Sequence, residues 1–145
     1  MKCYAYAWLL VGLGLVTPMA ARAQQSPSNT QVELQQNYPN PFNPSTTIPF
    51  RLSEELFQNG RRPVVSLRIF NVLAQLVAIP TLQASGQPLD NVELECPDPE
   101  NGYCDFSAYW DGHYLNSTAE AASGVYVYQL TVNGQRVTRR MLIMK

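Results

Sequence analysis

"VYVYQLTVNGQRVTRRMLIM", Val125 to Met144, places two runs of β-branched and aromatic residues on either side of Asn133-Gly134. Asn-Gly supplies the two positive-φ positions that a two-residue turn needs, which makes it one of the strongest hairpin signals in any sequence. In the first run Tyr126, Tyr128, Leu130 and Val132 share one face, and Val125, Val127, Gln129 and Thr131 the other. Both faces are partly apolar, which predicts a central strand over Val125 to Val132. The turn then returns Gln135 to Met144 as its antiparallel partner.

The same short-run pattern continues upstream, punctuated about every ten residues by Gly, Pro, Asn or Asp. It predicts further strands at Thr46 to Leu52, Val64 to Asn71, Gln75 to Ile79, Val92 to Cys96 and Cys104 to Trp110. In Val64 to Asn71, Val65, Leu67 and Ile69 point one way. No window of helical length carries a 3.6-residue apolar stripe; Glu54 to Asn59 and Ser117 to Ala122 are long enough only for single turns. The expected fold class is all-β, an antiparallel sandwich of about seven strands.

Ahead of these strands lies "NYPNPFNPSTTIPF", Asn37 to Phe50, whose prolines forbid helix and hold an extended lead-in. Tyr38 and Phe42 are expected to fold back onto the sandwich. Pro49 lacks an N–H, so it should sit at a sheet edge or at a bulge.

The first 23 residues read as an export signal: Lys2, the apolar run Trp8 to Val16, and Ala21-Arg22-Ala23 as a small-residue cleavage site. The run is too short for a membrane span. Cys3 precedes it, so it does not look like a lipid attachment site. Residues 24–36 are Gln, Ser, Asn and Pro with few apolar groups and are expected to be a disordered tether. Residues 37–145 then form one domain. Loss of Lys2 and Arg22 leaves eight basic against eleven acidic residues, a net charge of −3. Nothing here forms the basic stripe with interleaved aromatics that nucleic acid requires. Seven of the acids fall between Asp90 and Asp111, whereas Arg136, Arg139, Arg140 and Lys145 gather near the C-terminus.

Two cysteines remain after cleavage, Cys96 and Cys104, and in an exported chain their default state is a disulfide. Facing each other across a hairpin, they would centre the pairing on Glu100; Asn101-Gly102 favours another register, so the two signals compete. The disulfide is preferred, because Pro99 is a poor strand residue.

Catalytic chemistry has little material. His113 is the single histidine, beside Asp111 in "WDGHYLNS", and Ser107, Ser117 and Ser123 lack the glycine-flanked elbow of a nucleophile. No glycine loop is arranged to cradle phosphate, and no cofactor is expected. One histidine and two cysteines are too few for a zinc site. Asp98, Glu100, Asn101 and Asp105 are oxygen donors of the kind calcium accepts, but their spacing matches no EF-hand and solvated surface acids are the commoner case.

In order, "NYPNPFNPSTTIPF", "VSLRIFNVLAQLV", "YWDG", "ASGVYVYQL" and "RRMLIMK" resemble the C-terminal sorting domain of proteins exported by the type IX secretion system. They are equally similar to the Ig-like domain of the flagellar hook-capping protein. The resemblance implies an Ig-like β-sandwich with no catalytic role. It implies recognition by outer-membrane secretion machinery, cleavage by a sortase-like peptidase, and a cell-surface or extracellular location reached through the periplasm. Carried over by position, the recognition elements are Tyr38, Pro39, Asn40, Pro41 and Phe42, then Gly124 and Tyr126, and the terminal strand with Arg139, Arg140 and Lys145. A free-standing Ig-like adhesion or assembly module, binding a protein or a glycan, is the alternative. Three departures stand out. Ala74 replaces the usual glycine, residues 89–108 read as an inserted loop, and only about a dozen residues stand where a cargo domain is expected.

Overall fold

The computed structural model describes residues 30–145; the expected signal peptide and residues 24–29 of the expected tether lie outside them. Among the described residues nine strands occur in chain order: β1 Val32–Leu34, β2 Thr46–Ser53, β3 Val64–Phe70, β4 Leu76–Ala78, β5 Thr81–Leu82, β6 Val92–Glu93, β7 Tyr103–Trp110, β8 Gly124–Val132 and β9 Gln135–Ile143. They build two antiparallel sheets, β1-β2-β7-β5 and β4-β3-β8-β9, with β6 also paired to β3. The fold is the all-β sandwich that the periodicity calls for.

The Asn133-Gly134 turn sets its geometry. Both residues have positive φ, 48° and 86°, and the β8–β9 register runs unbroken from Val132↔Gln135 to Gly124↔Ile143. β8 is central, between β3 and β9. Its inward residues Tyr126, Tyr128, Leu130 and Val132 share one core with Val65, Leu67 and Ile69 of β3 and with Ile48, Phe50 and Leu52 of β2. Each such side chain, taken fully out of water, contributes about 1.5–3 kcal/mol before ordering costs.

The chain becomes ordered earlier than expected. β1 lies within the stretch read as tether, and Val32 and Leu34 are buried. Three alternating residues among glutamines give too weak a pattern to register, but pairing with β2 and packing beside β9 bury them. Pro49 is not at an edge either, since β2 runs between β1 and β7. A strand residue points its N–H and C=O to the same side. Pro49 O accepts from Gln35 N at 3.0 Å, so the missing N–H faces the β1 side and leaves the β7 ladder intact. The next pairing on that side is Tyr38↔Thr47, three residues on from Gln35 against two on from Pro49. That extra residue is a bulge, the other placement a strand proline tolerates.

The cysteine segment satisfies both signals that seemed to compete. Cys96 and Cys104 are joined, with Cα atoms 5.9 Å apart. Asn101-Gly102 still makes the tight turn, with φ of 51° and 82° and both Glu100–Tyr103 backbone bonds formed. Cys96 approaches from outside the two-strand pairing, so the disulfide imposes no register on it. Residues 89–108 are likewise not a loop added to the outside. Leu89 and Leu94 are buried, Leu89 O accepts from Leu67 N at 2.9 Å, and β6 covers the start of β3. β6 is shorter than the expected Val92 to Cys96, and the two-residue β5 has no counterpart in the sequence reading. Glu54–Gly60 begins as a 3-10 turn capped by Ser53 and leaves helical backbone at Gln58 and Asn59, whereas Ser117 to Ala122 has no helical turn.

Candidate functional site

The proline-rich lead-in is tied to the body of the domain by a buried polar knot. Asn37 N donates to Tyr128 Oη at 3.0 Å, and Tyr128 Oη donates to Gln35 O at 2.7 Å. Asn37 Nδ2 donates to Thr46 Oγ1 and Pro39 O, and Thr46 Oγ1 donates to the same Pro39 carbonyl. Every buried polar group in this knot has a partner, the condition under which such a network fixes one conformation. Burial raises the Tyr128 phenol above its ordinary value.

Beyond the knot the lead-in runs along the end of β9. Asn40 Oδ1 accepts from Leu142 N at 3.0 Å, Phe42 N donates to Leu142 O at 3.0 Å, and Met144 N donates to Phe42 O at 3.2 Å. Phe42 therefore forms a parallel bridge with Ile143. These bonds cover the last residues of an edge strand whose other side is paired with β8, so the two ends of the domain close on each other. Gln36 Nε2 adds a bond to Arg140 O, and Arg139 Nε donates to Leu34 O.

Under this junction sits an aromatic column. Phe42 meets Trp110 edge to face at 5.5 Å, and Trp110 meets Tyr126 in the same way at 5.9 Å. Such pairs contribute about 0.5–1.5 kcal/mol beyond the area they bury. Trp110 Nε1 donates to His113 O, which fixes the turn after β7. Tyr126 Oη donates to Ala122 O at 2.7 Å; burial first, then its hydrogen bond with Tyr114, push this phenol up to about 12. Tyr114 is shifted the other way, chiefly by the Ala122 backbone N–H that its oxygen accepts. The C-terminus is held by Lys145, whose backbone N donates to Ser123 Oγ and whose Nζ lies 2.9 Å from Glu120. That ammonium lowers the Glu120 carboxyl below its ordinary range.

The residues carried over from the resemblance thus come together at one end of the sandwich, in two classes. Phe42 and Tyr126 are buried and structural. Pro39, Asn40, Pro41, Arg139, Arg140 and Lys145 are exposed, Gly124 is half-buried where it opens β8, and Tyr38 is 57% exposed rather than folded back. Tyr38 faces away because its backbone, bonded both ways to Thr47, already fixes the strand there. The sequence contained no sign that Gln35, Asn37 and Tyr128 form the joint beneath them.

The other candidates do not assemble. Asp105 pairs with Arg51 at 3.2 Å, Asn101 forms the turn, and no group of three or more Asp, Glu, His or Cys ligands converges among the described residues. His113 Nδ1 is 3.3 Å from Asp111 Oδ2. The hydroxyl of Ser117 accepts from Ala119 N and that of Ser123 from Lys145 N, so neither is set against the imidazole. Among the described residues no helix is long and apolar enough to cross a membrane.

No family model matches the chain, and no curated protein matches it. Among solved structures it is similar to the Pseudomonas fluorescens alkylpurine DNA glycosylase AlkC bound to DNA containing an abasic site analog, with a TM-score of 0.46 and 14% identity. That match covers 79% of this chain and 31% of the other, so this chain spans under a third of that protein, and a likeness at this level carries no argument about function.

Proposed function

We propose that this domain is a non-catalytic secretion-targeting module of the type IX sorting kind, exported through the inner membrane and presented to outer-membrane machinery. The observation that supports this reading is the junction of Phe42 with Ile143. On this reading the signal is read only in the folded domain. Here the lead-in and the terminal strand, far apart in sequence, form one exposed surface only in the native state. On this reading the machinery meets Asn40, Pro41, Arg140 and Lys145 together, and the folded domain ends up at the cell surface or outside the cell. A sortase-like peptidase would then cut upstream of β1.

The test is a periplasmic reporter fused to residues 24–145, starting ahead of β1 so that Val32 and Leu34 are kept. In a host with type IX machinery the reporter reaches the surface, and removing residues 139–145 stops it. Retention of the intact fusion in the periplasm of that host sinks the reading.

A second reading, a free-standing adhesion or assembly module, draws on one feature. Val72 and Leu73 at the tip of the β3–β4 turn are 75% and 74% exposed, beside half-buried Phe70 and Val127. Apolar residues grouped in this way on a surface mark protein contacts more often than chance. Recovery of the purified chain as an oligomer that Leu73→Asp dissolves would favour this reading over the first.

A further inference from the structure

Next to Trp110, whose ring meets Phe42, the end of β7 and the turn after it form a cleft of about 360 Å³ against Thr81 of β5. We propose that this cleft binds a neutral sugar ring of a glycan. The proposal is independent of the sorting reading.

The argument is one of chemical fit. The volume lies at the lower end of ligand pockets, which combine an apolar floor with a few polar groups that fix orientation. Tyr109 lines the cleft, is 40% exposed, and its hydroxyl has no protein partner among the described residues. An open aromatic ring of this kind offers a flat apolar surface for the C–H face of a pyranose, with a polar handle at its edge. Leu115, 43% exposed, extends the apolar surface.

Around the ring stand groups suited to hydroxyls. Asn116 is exposed and its amide carries both donors and an acceptor with no protein partner among the described residues. Asp111 Oδ1 accepts from His113 N at 2.9 Å, yet the carboxylate is 60% exposed and keeps acceptor capacity for a vicinal diol. His113 Nδ1 is buried and, although 3.3 Å from Asp111 Oδ2, is not aligned for a hydrogen bond.

Other ligand classes fit less well. No Lys or Arg lines the cleft and a carboxylate does, which disfavours phosphates and anionic polymers. A single carboxylate is too few for a hard cation. Proline-rich peptides dock on grooves lined by several open aromatics. Here Trp110 is 3% exposed with its Nε1 donated to His113 O, and Tyr114 is half-buried with its oxygen taken by Ala122 N, which leaves Tyr109 as the exposed ring.

The experiment is titration of the purified chain with the methyl glycosides of glucose, galactose, mannose and N-acetylglucosamine and with their short neutral oligomers. Amide NMR shifts and calorimetry are read together. At least one sugar binds with a Kd of about a millimolar, as expected for a small ligand on an open site. Its shifts are confined to Thr81, Tyr109 and residues 111–117. Tyr109→Ala and Asn116→Ala each weaken binding about tenfold, while Tyr109→Phe keeps it, and a uronic acid binds more weakly than its neutral parent. All variants sit on the surface, and an unchanged melting temperature verifies that they fold. No shift with any sugar at about 50 mM overturns the proposal. So does binding that Tyr109→Ala leaves unchanged, or a response to a hexaproline peptide and to no sugar.

Discussion

Gly112 lies so close to Pro44 that a Cβ built on it would stand 2.1 Å from the Pro44 carbonyl oxygen. The glycine also has φ +86°, in the region that residues with a Cβ adopt only at a cost. Backbone cannot yield as a flexible side chain can, so Gly112→Ala must push the lead-in away from the turn that follows Trp110. Strain of the two kinds together should cost about 3 kcal/mol or more in chemical denaturation. A loss below about 1 kcal/mol would mean that the contact is not formed in solution.

Ala74 is the opposite case, a residue with a Cβ where glycine fits better. Its φ is 59°, and its N–H bonds back to Asn71 O in the β3–β4 turn. The left-handed conformation costs an L-residue about 1–2 kcal/mol, while glycine pays part of that back through a more flexible unfolded chain. Ala74→Gly should therefore raise stability by about 0.5 kcal/mol and the melting temperature by about 2–3 °C. A drop in melting temperature contradicts the assignment of strain.

These two positions show what the sequence could and could not reveal. Asn133-Gly134, Asn101-Gly102 and Asp111-Gly112 announce their turns because positive φ restricts which residues can occupy them. The alternation in β3 and β8 identifies their buried faces for a similar reason: the pleat has a fixed period. The sequence carries no such local mark for β1 or β5. Strands of three and two residues gain their stability from neighbours distant in the chain. Nor does anything near Asn37 point to Tyr128, whose hydroxyl serves both Asn37 and Gln35. At the candidate site, the motifs singled out a set of residues, but only the fold shows that Phe42 and Tyr126 sit in the core while Asn40 and Arg140 face solvent.

The disulfide should stabilise without specifying the fold. Closing the short loop from Cys96 to Cys104 restricts the unfolded chain by about 2.5 kcal/mol on the chain-entropy estimate. The Glu100–Tyr103 turn and the β2–β7 ladder do not depend on it. The double variant Cys96→Ala with Cys104→Ala should then fold with a native far-ultraviolet spectrum and lose about 2–3 kcal/mol in urea. An unfolded product would show that the crosslink is needed to form the domain.

At alkaline pH the aromatic column should become the weak point. Tyr126 titrates at about 12 in the folded chain against an ordinary 10.0, because burial disfavours the phenolate. Between those values the unfolded chain gives up its proton while the folded chain keeps it. Folding stability is therefore fully present below pH 10 and declines as the pH rises toward 12. Two units correspond to about 2–3 kcal/mol. Tyr128, also raised by burial, adds to the decline, and the lowered Tyr114 offsets part of it. Tyr126→Phe gives up the bond to Ala122 O, at a cost of about 1 kcal/mol at neutral pH, and in exchange loses most of the alkaline slope. Urea midpoints at pH 8, 10 and 11.5 separate the two effects. Parallel declines for the wild-type chain and Tyr126→Phe would remove Tyr126 as the cause and place it with Tyr128.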